Sequence, residues 1–231
     1  SSGSISGAMY LGGICGTAGM ADIYNCYTTL DINNNNAVDE TYDIGAIVGY
    51  SSSSTVIKNC FSTGIIIAEN ADETGGIVGG ANNIQIINSL SINAKIIGNQ
   101  EKANRILGYD GGTMTFKNNY AWNDMYINDS KAIDGLIDNQ KGLNIALDEI
   151  KSEVFYTNSA NWDTEAWNFV DLWDMNDAIS PYPILKTIPN EIQKVHHSQF
   201  MTDVWLQTLP QNATVGDTII LNAPSEGPSE L

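Results

Sequence analysis

Apolar and polar residues along the first half of the chain recur in blocks that return about every 30 residues. The clearest block runs from Gly75 to Gly79 and reads Gly-Gly-Ile-Val-Gly, and related blocks end at Gly16, Gly49 and Gly108. The steps between these final glycines are 33, 30 and 29 residues. A period of this length is typical of a solenoid, in which each repeat forms one turn of a stack.

A second landmark keeps the same period and supports a β-rich repeat. An asparagine within an apolar segment recurs at 25, 59, 88 and 118, in steps of 34, 29 and 30 residues, and a third apolar segment such as Ile65–Ile67 follows. Three short strands joined by turns fill such a unit, whereas two helices need longer 3.6-residue patterns. We therefore predict an all-β fold: a parallel, right-handed β-helix-like solenoid of about four triangular coils of 29–33 residues.

The repeated residues predict specific roles inside each coil. We expect the glycine-flanked block to be a strand whose end glycines adopt positive φ and allow close backbone approach. Its central isoleucine is expected to point into the shared core, at Ile14, Ile47, Ile77 and Ile106. The asparagines are expected to sit at corners and to form a ladder of amide hydrogen bonds through Asn25, Asn59, Asn88 and Asn118.

The pattern divides the chain into a solenoid at 1–128, a C-terminal cap on the last coil at 129–188, and a linker or the start of a further β domain at 189–231. Residues 2–6 resemble the late part of a repeat, so further coils or a cap are expected before them. In the cap we predict a short helix at 144–151. The aromatics around Trp162, Trp167 and Trp173 indicate a plug over the last coil or, alternatively, a carbohydrate-stacking platform.

Composition narrows the classes of partner. Ten Lys and Arg stand against 27 Asp and Glu, and the net charge of -17 would repel nucleic acid and anionic membranes. No apolar run approaches the ~18 residues of a membrane span.

The three cysteines are too few for a disulfide framework, and stacking places Cys26 beside Cys60 on adjacent parallel strands, where a bridge is awkward. We therefore expect buried free thiols at Cys15, Cys26 and Cys60.

The repeat blocks resemble a known motif. Gly75–Gly79 with 86–90, and Gly45–Gly49 with 57–67, resemble the GLUG repeat of large bacterial surface and secreted proteins, including adhesin-like and IgA-protease-type proteins. The aromatic segment, ending in Tyr-Pro-Ile-Leu, is similar to the closing unit that often follows such repeats, so the resemblance covers about residues 3–188. It implies a parallel solenoid and an extracellular or bacterial cell-surface location. The fourth repeat departs, with Asn104-Arg105 in place of the glycine pair, so a distorted corner is expected there.

These features favour a non-catalytic stalk or adhesive module, part of a longer polypeptide, that binds an unidentified host or cell-surface protein or glycan. We assign no catalytic, cofactor-binding or metal-binding residue and no cofactor. The protease version of the family needs a zinc-binding HExxH segment, and this sequence contains none. His196-His197, with no further metal ligand at suitable spacing, is read as an exposed connector.

Two alternatives use the acidic residues, which are expected in loops between coils: Asp31, Asp39, Glu40, Asp43, Glu69, Asp72 and Glu73. A polysaccharide-processing lyase or hydrolase, or an accessory domain of a secreted protease, is the first alternative. A hydrolase needs two carboxylates across a groove, but the negative charge disfavours acidic glycans. In the second, the loops at 31–43 and 69–72 converge on one edge and bind calcium.

Overall fold

The structure is a computed structural model that describes residues 4–7, 9–34, 41–162 and 165–193. Short strands dominate it, and helices are few and short. The strands of the described residues are β1 (Ser4–Ile5), β2 (Leu11–Gly12), β3 (Cys15–Ala18), β4 (Asp22–Tyr24), β5 (Tyr27–Thr28), β6 (Asp31–Asn33), β7 (Thr41–Gly45), β8 (Val48–Ser51), β9 (Thr55–Lys58), β10 (Phe61–Ser62), β11 (Ile66–Ile67), β12 (Ala71–Gly75), β13 (Val78–Ile87), β14 (Leu90–Ser91), β15 (Lys95–Ile97), β16 (Ala103–Asn104), β17 (Leu107–Lys117), β18 (Tyr120–Trp122), β19 (Tyr126–Ile127), β20 (Ser130–Lys131), β21 (Leu143–Ile145), β22 (Trp173–Asn176) and β23 (Ser180–Leu185). The helices are α1 (Leu147–Ile150), α2 (Glu153–Thr157), a 3-10 turn (Ser159–Asn161) and α3 (Asn190–Gln193).

Four sheets run along the stack, and we name each after its first strand. The β1 sheet has the order β1-β6-β11-β15-β19-β20, the β2 sheet β2-β7-β12-β16, the β3 sheet β3-β8-β13-β9-β4 with β17 on β13, and the β5 sheet β5-β10-β14-β18-β21. Nearly all neighbours in these sheets are parallel, with β19 and β20 the antiparallel pair. The predicted parallel solenoid of about four coils is thus confirmed. Its coil, however, has four faces rather than the three expected.

The glycine-flanked block is a corner and not the strand that we expected. Gly75 ends β12, the next two residues bend, and Val78 begins β13. Among the described glycines only Gly142 has positive φ, so the prediction that the corner glycines adopt positive φ is wrong. A Cβ on Gly75 would overlap the Val78 carbonyl oxygen and approach the Gly108 nitrogen of the next coil to 2.8 Å. The corner needs glycine because two strands approach each other closely.

The core confirms three of the four predicted isoleucines. Ile47, Ile77 and Ile106 are fully buried, whereas Ile14 is 46% exposed. The Ile47 N–H donates to the Ile77 carbonyl at 2.9 Å, and the Ile77 N–H donates to the Ile106 carbonyl at 3.0 Å. The prediction that Ile14 lies in the core was therefore wrong.

The asparagine corners are confirmed, and here the positive φ is real. The four residues share a left-handed backbone: Asn25 (φ 54°), Asn59 (53°), Asn88 (52°) and Asn118 (51°). The predicted amide ladder is interrupted. Asn59 donates to Asn25 at 3.4 Å and Asn118 to Asn88 at 3.0 Å. The Asn88 amide instead donates to the Glu165 carbonyl at 3.2 Å, which ties this corner to the C-terminal segment.

The fourth repeat, which lacks the glycine pair, is covered by a later segment of the chain. Asn104 ends β16 and Leu107 begins β17, so this corner has the same strand-bend-strand pattern as the others and the expected distortion is wrong. The Arg105 side chain is buried and donates to the Lys141 carbonyl at 2.8 Å and to the Gly142 carbonyl at 2.6 Å. A long side chain fits because the segment around Lys141, rather than another glycine corner, lies over this coil.

The aromatic segment lies along the side of the solenoid. Its rings contact one row of side chains on the β5 sheet, including Tyr27 of the first coil, Phe61 of the second and Tyr120 of the fourth. Trp173 lies 6.2 Å from Tyr27, and the Tyr27 hydroxyl donates to Gln193 at 2.8 Å. The expected position, on the last coil alone, therefore needs correction. The domain boundaries at 128 and 188 remain predictions.

Burial also decides between the two interpretations of the aromatics. Trp162 and Trp173 are fully buried, and Trp167 is 2% exposed. A carbohydrate platform needs exposed ring faces, so that alternative is wrong for these residues. The predicted helix at 144–151 is shorter than expected, because Asn144 and Ile145 pair with β18 and only Leu147–Ile150 is helical.

Candidate functional site

Two rows of side chains meet along the glycine corners, where most of them are partly buried and Tyr109 is exposed. On the β2 sheet, Asp43 and Glu73 are register partners. On the β3 sheet, Tyr50, Gly80 and Tyr109 share one register. We call the surface the tyrosine–carboxylate strip, and define it as Tyr10, Tyr42, Asp43, Tyr50, Glu73, Lys102 and Tyr109.

Stacked tyrosines form one end of the strip. The Tyr10 ring stacks on Tyr50 with centroids 5.1 Å apart and lies 5.4 Å from Tyr42. Asn82 donates to the Tyr50 hydroxyl at 2.7 Å, which holds that ring. At the other end the Lys102 ammonium lies 4.6 Å from the centre of the Tyr109 ring, and Tyr109 is 43% exposed. Pre-ordered rings with polar rims are suited to binding, because little side-chain entropy remains to be lost.

Gly80 shapes the middle of the strip. Because this residue has no side chain, the carboxyl groups of Asp43 and Glu73 lie over its backbone, and a Cβ there would come within 2.8 Å of Asp43 Oδ2. The Glu73 carboxylate also accepts a hydrogen bond from Lys102 Nζ at 3.2 Å. Three successive coils are thereby joined through Asp43, Glu73 and Lys102.

Asp43 and Glu73 form a hydrogen-bonded pair of carboxyl groups. Asp43 is 5% exposed, and burial, followed by its hydrogen bond with Glu73, raises its pKa from 3.8 to about 8. The charges of Glu73 and Asp72 raise it further, and Lys102 opposes them. At neutral pH Asp43 therefore carries a proton and donates it to the Glu73 carboxylate.

This pair predicts an unusual pH dependence of stability. Folded Asp43 keeps a proton that the unfolded chain releases near pH 4, so its contribution is complete below about pH 4 and is lost as the pH rises through about 8. Asp43→Asn keeps a hydrogen-bond donor but does not titrate. We expect its free energy of unfolding to decline less than that of the wild type between about pH 5 and 9, by up to about 4 kcal/mol.

Urea unfolding at several pH values measures this difference. Asp22→Asn is the matched control, because Asp22 is also an aspartate in a strand, β4, but is exposed. This control should follow the wild-type profile closely. A decline in Asp43→Asn as steep as that of the wild type would show that Asp43 is not the titrating group.

The acidic residues predicted in loops lie mainly in strands. Asp31 is in β6, Asp43 in β7, and Asp72 and Glu73 in β12, while Glu69 is exposed in a turn. Asp31 accepts a hydrogen bond from the Ile65 N–H at 2.8 Å and so supports the backbone. Asp39, Glu40 and the pair His196-His197 lie outside the described residues. Within the described part of the chain, no group of three or more His, Cys, Asp or Glu is arranged to hold a metal ion.

The tyrosines of the strip were missed by the sequence reasoning. A signal was present, since Tyr50 and Tyr109 directly follow the final glycines of their corners, Gly49 and Gly108. Tyr10 directly precedes β2 of the first coil and Tyr42 lies in β7 of the second, and only the fold brings Tyr10 into contact with Tyr42 and Tyr50.

All three cysteines are free thiols, as expected. Cys60 is buried, whereas Cys15 and Cys26 are partly exposed, so the prediction of buried thiols holds for Cys60.

Comparison with known proteins agrees with this architecture. The model of the GLUG motif matches residues 7–33, the first coil of the stack. The chain also resembles in fold the crystal structure of a candidate immunoglobulin A1 protease from Bacteroides ovatus, with a TM-score of 0.62 and 22% sequence identity. The match covers 81% of this chain and 56% of the other, so this chain spans little more than half of that protein. No curated protein matches this sequence.

In the residues that the structure describes, no helix has the length and apolar character needed to cross a membrane.

Proposed function

We propose that the chain is a non-catalytic module of a bacterial surface or secreted protein, and that it presents the tyrosine–carboxylate strip to a protein or glycan partner. The observation that carries this proposal is the stack of Tyr10 on Tyr50 on the first two coils, together with Tyr109, which is 43% exposed beside Lys102 on the fourth coil. The GLUG motif and the fold of the Bacteroides ovatus protein support an extracellular setting.

The charge of the chain favours uncharged or basic partners. A net charge of -17 repels acidic polysaccharides, whereas tyrosine faces stack on sugar rings and on aromatic or basic side chains. The opposite side of the coil is unsuited to binding where the aromatic segment already covers the β5 sheet. The strip is therefore the surface to which we assign binding.

A glycan array combined with pull-down from mucin and matrix proteins tests the proposal. We expect retained ligands to be lost, with affinity reduced at least about 10-fold, in Tyr109→Ala and Tyr50→Ala. Tyr24→Ala is the matched control, because Tyr24 is 46% exposed and lies outside the strip. Binding that is equally weakened by Tyr24→Ala, or an absence of any binding, would leave a spacer role in place of adhesion.

The carboxyl pair is the observation that favours a second candidate, a polysaccharide-processing enzyme. A carboxyl group with a raised pKa, as at Asp43, beside a second carboxyl group, Glu73, is an arrangement that general acid–base catalysis uses. Both groups are engaged, however, with each other and with Lys102, and Asp43 is buried. New reducing ends or unsaturated products from a panel of neutral and acidic polysaccharides, abolished by Glu73→Gln, would establish this activity in place of the binding role.

A further inference from the structure

A pocket lies where the first coil meets the C-terminal segment, at the opposite end of the stack from Arg105. Its volume is about 330 Å³, within the range of small-molecule sites. Most of its wall is apolar, from Ile14 and Leu30 on the coil and from Leu185, Ile188 and Ile192 on the C-terminal segment. Cys26 lies on the same wall and is partly exposed, and its thiol donates to the Tyr24 carbonyl at 3.3 Å.

The stacking of the coils places a second thiol behind Cys26. Tyr27 and Phe61 are register partners, and the Phe61 N–H donates to the Cys26 carbonyl at 3.1 Å, so Cys26 and Cys60 are neighbours on adjacent coils. Each cysteine directly follows a left-handed asparagine, which aligns the two Cβ positions. Cys60 is fully buried, and its thiol lies within 3.3 Å of the Lys58 carbonyl and 3.5 Å of the Ile23 carbonyl.

This arrangement distinguishes the two thiols chemically. A hydrogen bond from Cys60 lowers the pKa of Cys26 to about 7, against partial burial that raises it. Burial raises the pKa of Cys60 well above its ordinary value. Of the residues that line the pocket, Tyr27 is the other ionisable one, and Gln193 and its apolar neighbours from the C-terminal segment carry no charge.

We propose that Cys26 is a covalent modification site, at which a small uncharged disulfide seated in the pocket reacts with the thiolate. This goes beyond the binding role, since the pocket lies outside the tyrosine–carboxylate strip. With a disulfide R–S–S–R, the Cys26 sulfur forms a bond to one sulfur of the reagent and the S–S bond of the reagent breaks. The second sulfur leaves as the thiolate RS⁻, so one mixed disulfide forms for each thiolate released.

Cys60 does not complete an exchange. Attack on the mixed disulfide needs a thiolate, and burial keeps Cys60 protonated. The Cys26 adduct therefore persists, and an internal Cys26–Cys60 bond does not form. The apolar wall and the net charge of -17 both favour neutral reagents over anionic ones.

The test uses the full chain and dithiodipyridine, a neutral aromatic disulfide whose released thione is measured by absorbance. We expect one thiol to react at about pH 7 in a fast phase at least about 10-fold faster than the remaining thiols. Cys26→Ser should remove this phase. Cys15→Ser, the matched control, should retain it, because Cys15 is also partly exposed but lies outside the pocket wall. Anionic dithionitrobenzoate should react more slowly than dithiodipyridine.

Mass spectrometry of the product provides a second readout. A single adduct on the peptide containing Cys26 supports the proposal. A fast phase that survives in Cys26→Ser, or an internal disulfide with no retained adduct, overturns it. Cys60→Ser should preserve the fold, because Ser89 occupies the equivalent corner of the next coil, while Cys60→Ala removes the donor and should slow the fast phase at pH 7. An unchanged rate in folded Cys60→Ala overturns the role given to Cys60.

Discussion

Replacing Ile77 with aspartate is expected to unfold the solenoid. The side chain is fully buried, and its backbone carbonyl accepts hydrogen bonds from the N–H groups of both Ile47 and Val48, so this corner cannot turn outwards without breaking the contact between coils. An unpaired carboxylate in an apolar core takes up a proton instead of remaining ionised, and the neutral acid without hydrogen-bond partners still costs about 2–7 kcal/mol. The lost apolar packing adds to this cost, and domains are usually stable by only about 5–15 kcal/mol. We expect loss of the cooperative urea transition and of the far-ultraviolet β signal.

Ile14→Asp is the matched control for this substitution. Ile14 occupies the same place in the first coil and its N–H donates to the Ile47 carbonyl at 3.1 Å, yet its side chain is 46% exposed. The aspartate can therefore stay hydrated, and we expect a loss of less than about 1.5 kcal/mol. A cooperative transition in Ile77→Asp at the wild-type urea concentration would contradict the register of the core.

Gly75→Ala is expected to have the second largest effect. The added methyl group would overlap the Val78 carbonyl oxygen within the corner and lie 2.8 Å from the Gly108 nitrogen on the next coil. Both atoms belong to the backbone and cannot move aside independently. We expect a loss of more than about 3 kcal/mol in the free energy of unfolding, measured by urea denaturation.

Two further variants test the reason for this glycine. In Gly111→Ala the methyl group would approach the exposed Asn82 side chain at 2.9 Å, which can rotate away, so we expect a change within about 1 kcal/mol. Gly75→Asn separates steric exclusion from backbone freedom, because asparagine tolerates positive φ. A Gly75→Asn variant close to wild-type stability would support the positive-φ explanation, whereas we expect it to be as unstable as Gly75→Ala.

In the fourth repeat, the residues that depart from the pattern have a role that only the stacked structure explains. From the sequence, Asn104-Arg105 indicates a damaged corner. In the structure the corner is intact, and the Arg105 guanidinium donates to carbonyl groups of the segment that covers the last coil, Lys141 and Gly142. Burial lowers the pKa of Arg105 to about 10, which leaves it charged at neutral pH. The substitution thus marks the end of the stack.

The structural role of each repeated residue was predictable from the sequence, because equivalent positions of every coil have the same packing and turn geometry. The burial of Ile47, Ile77 and Ile106, the corners at Asn59 and its counterparts, and the parallel pairing of equivalent residues follow from the period that the coils share. These features depend on contacts with the equivalent residues of the neighbouring coils. The repeat spacing of about 30 residues identifies those residues directly from the sequence. The left-handed backbone of the corner asparagines was not predicted, because positive φ was expected at the glycines.

The contacts between residues on different faces of the coil were decided by the tertiary structure alone. The contact of Tyr10 with Tyr50, the burial of Asp43 over Gly80, and the packing of Trp173 against Tyr27 join residues 40, 37 and 146 positions apart that the repeat does not relate. Such contacts depend on the angle of each corner and on the route of the C-terminal segment. The sequence alone therefore determined the solenoid and its internal register, while the candidate binding strip, the covering of the β5 sheet and the thiol pocket came from how its faces meet.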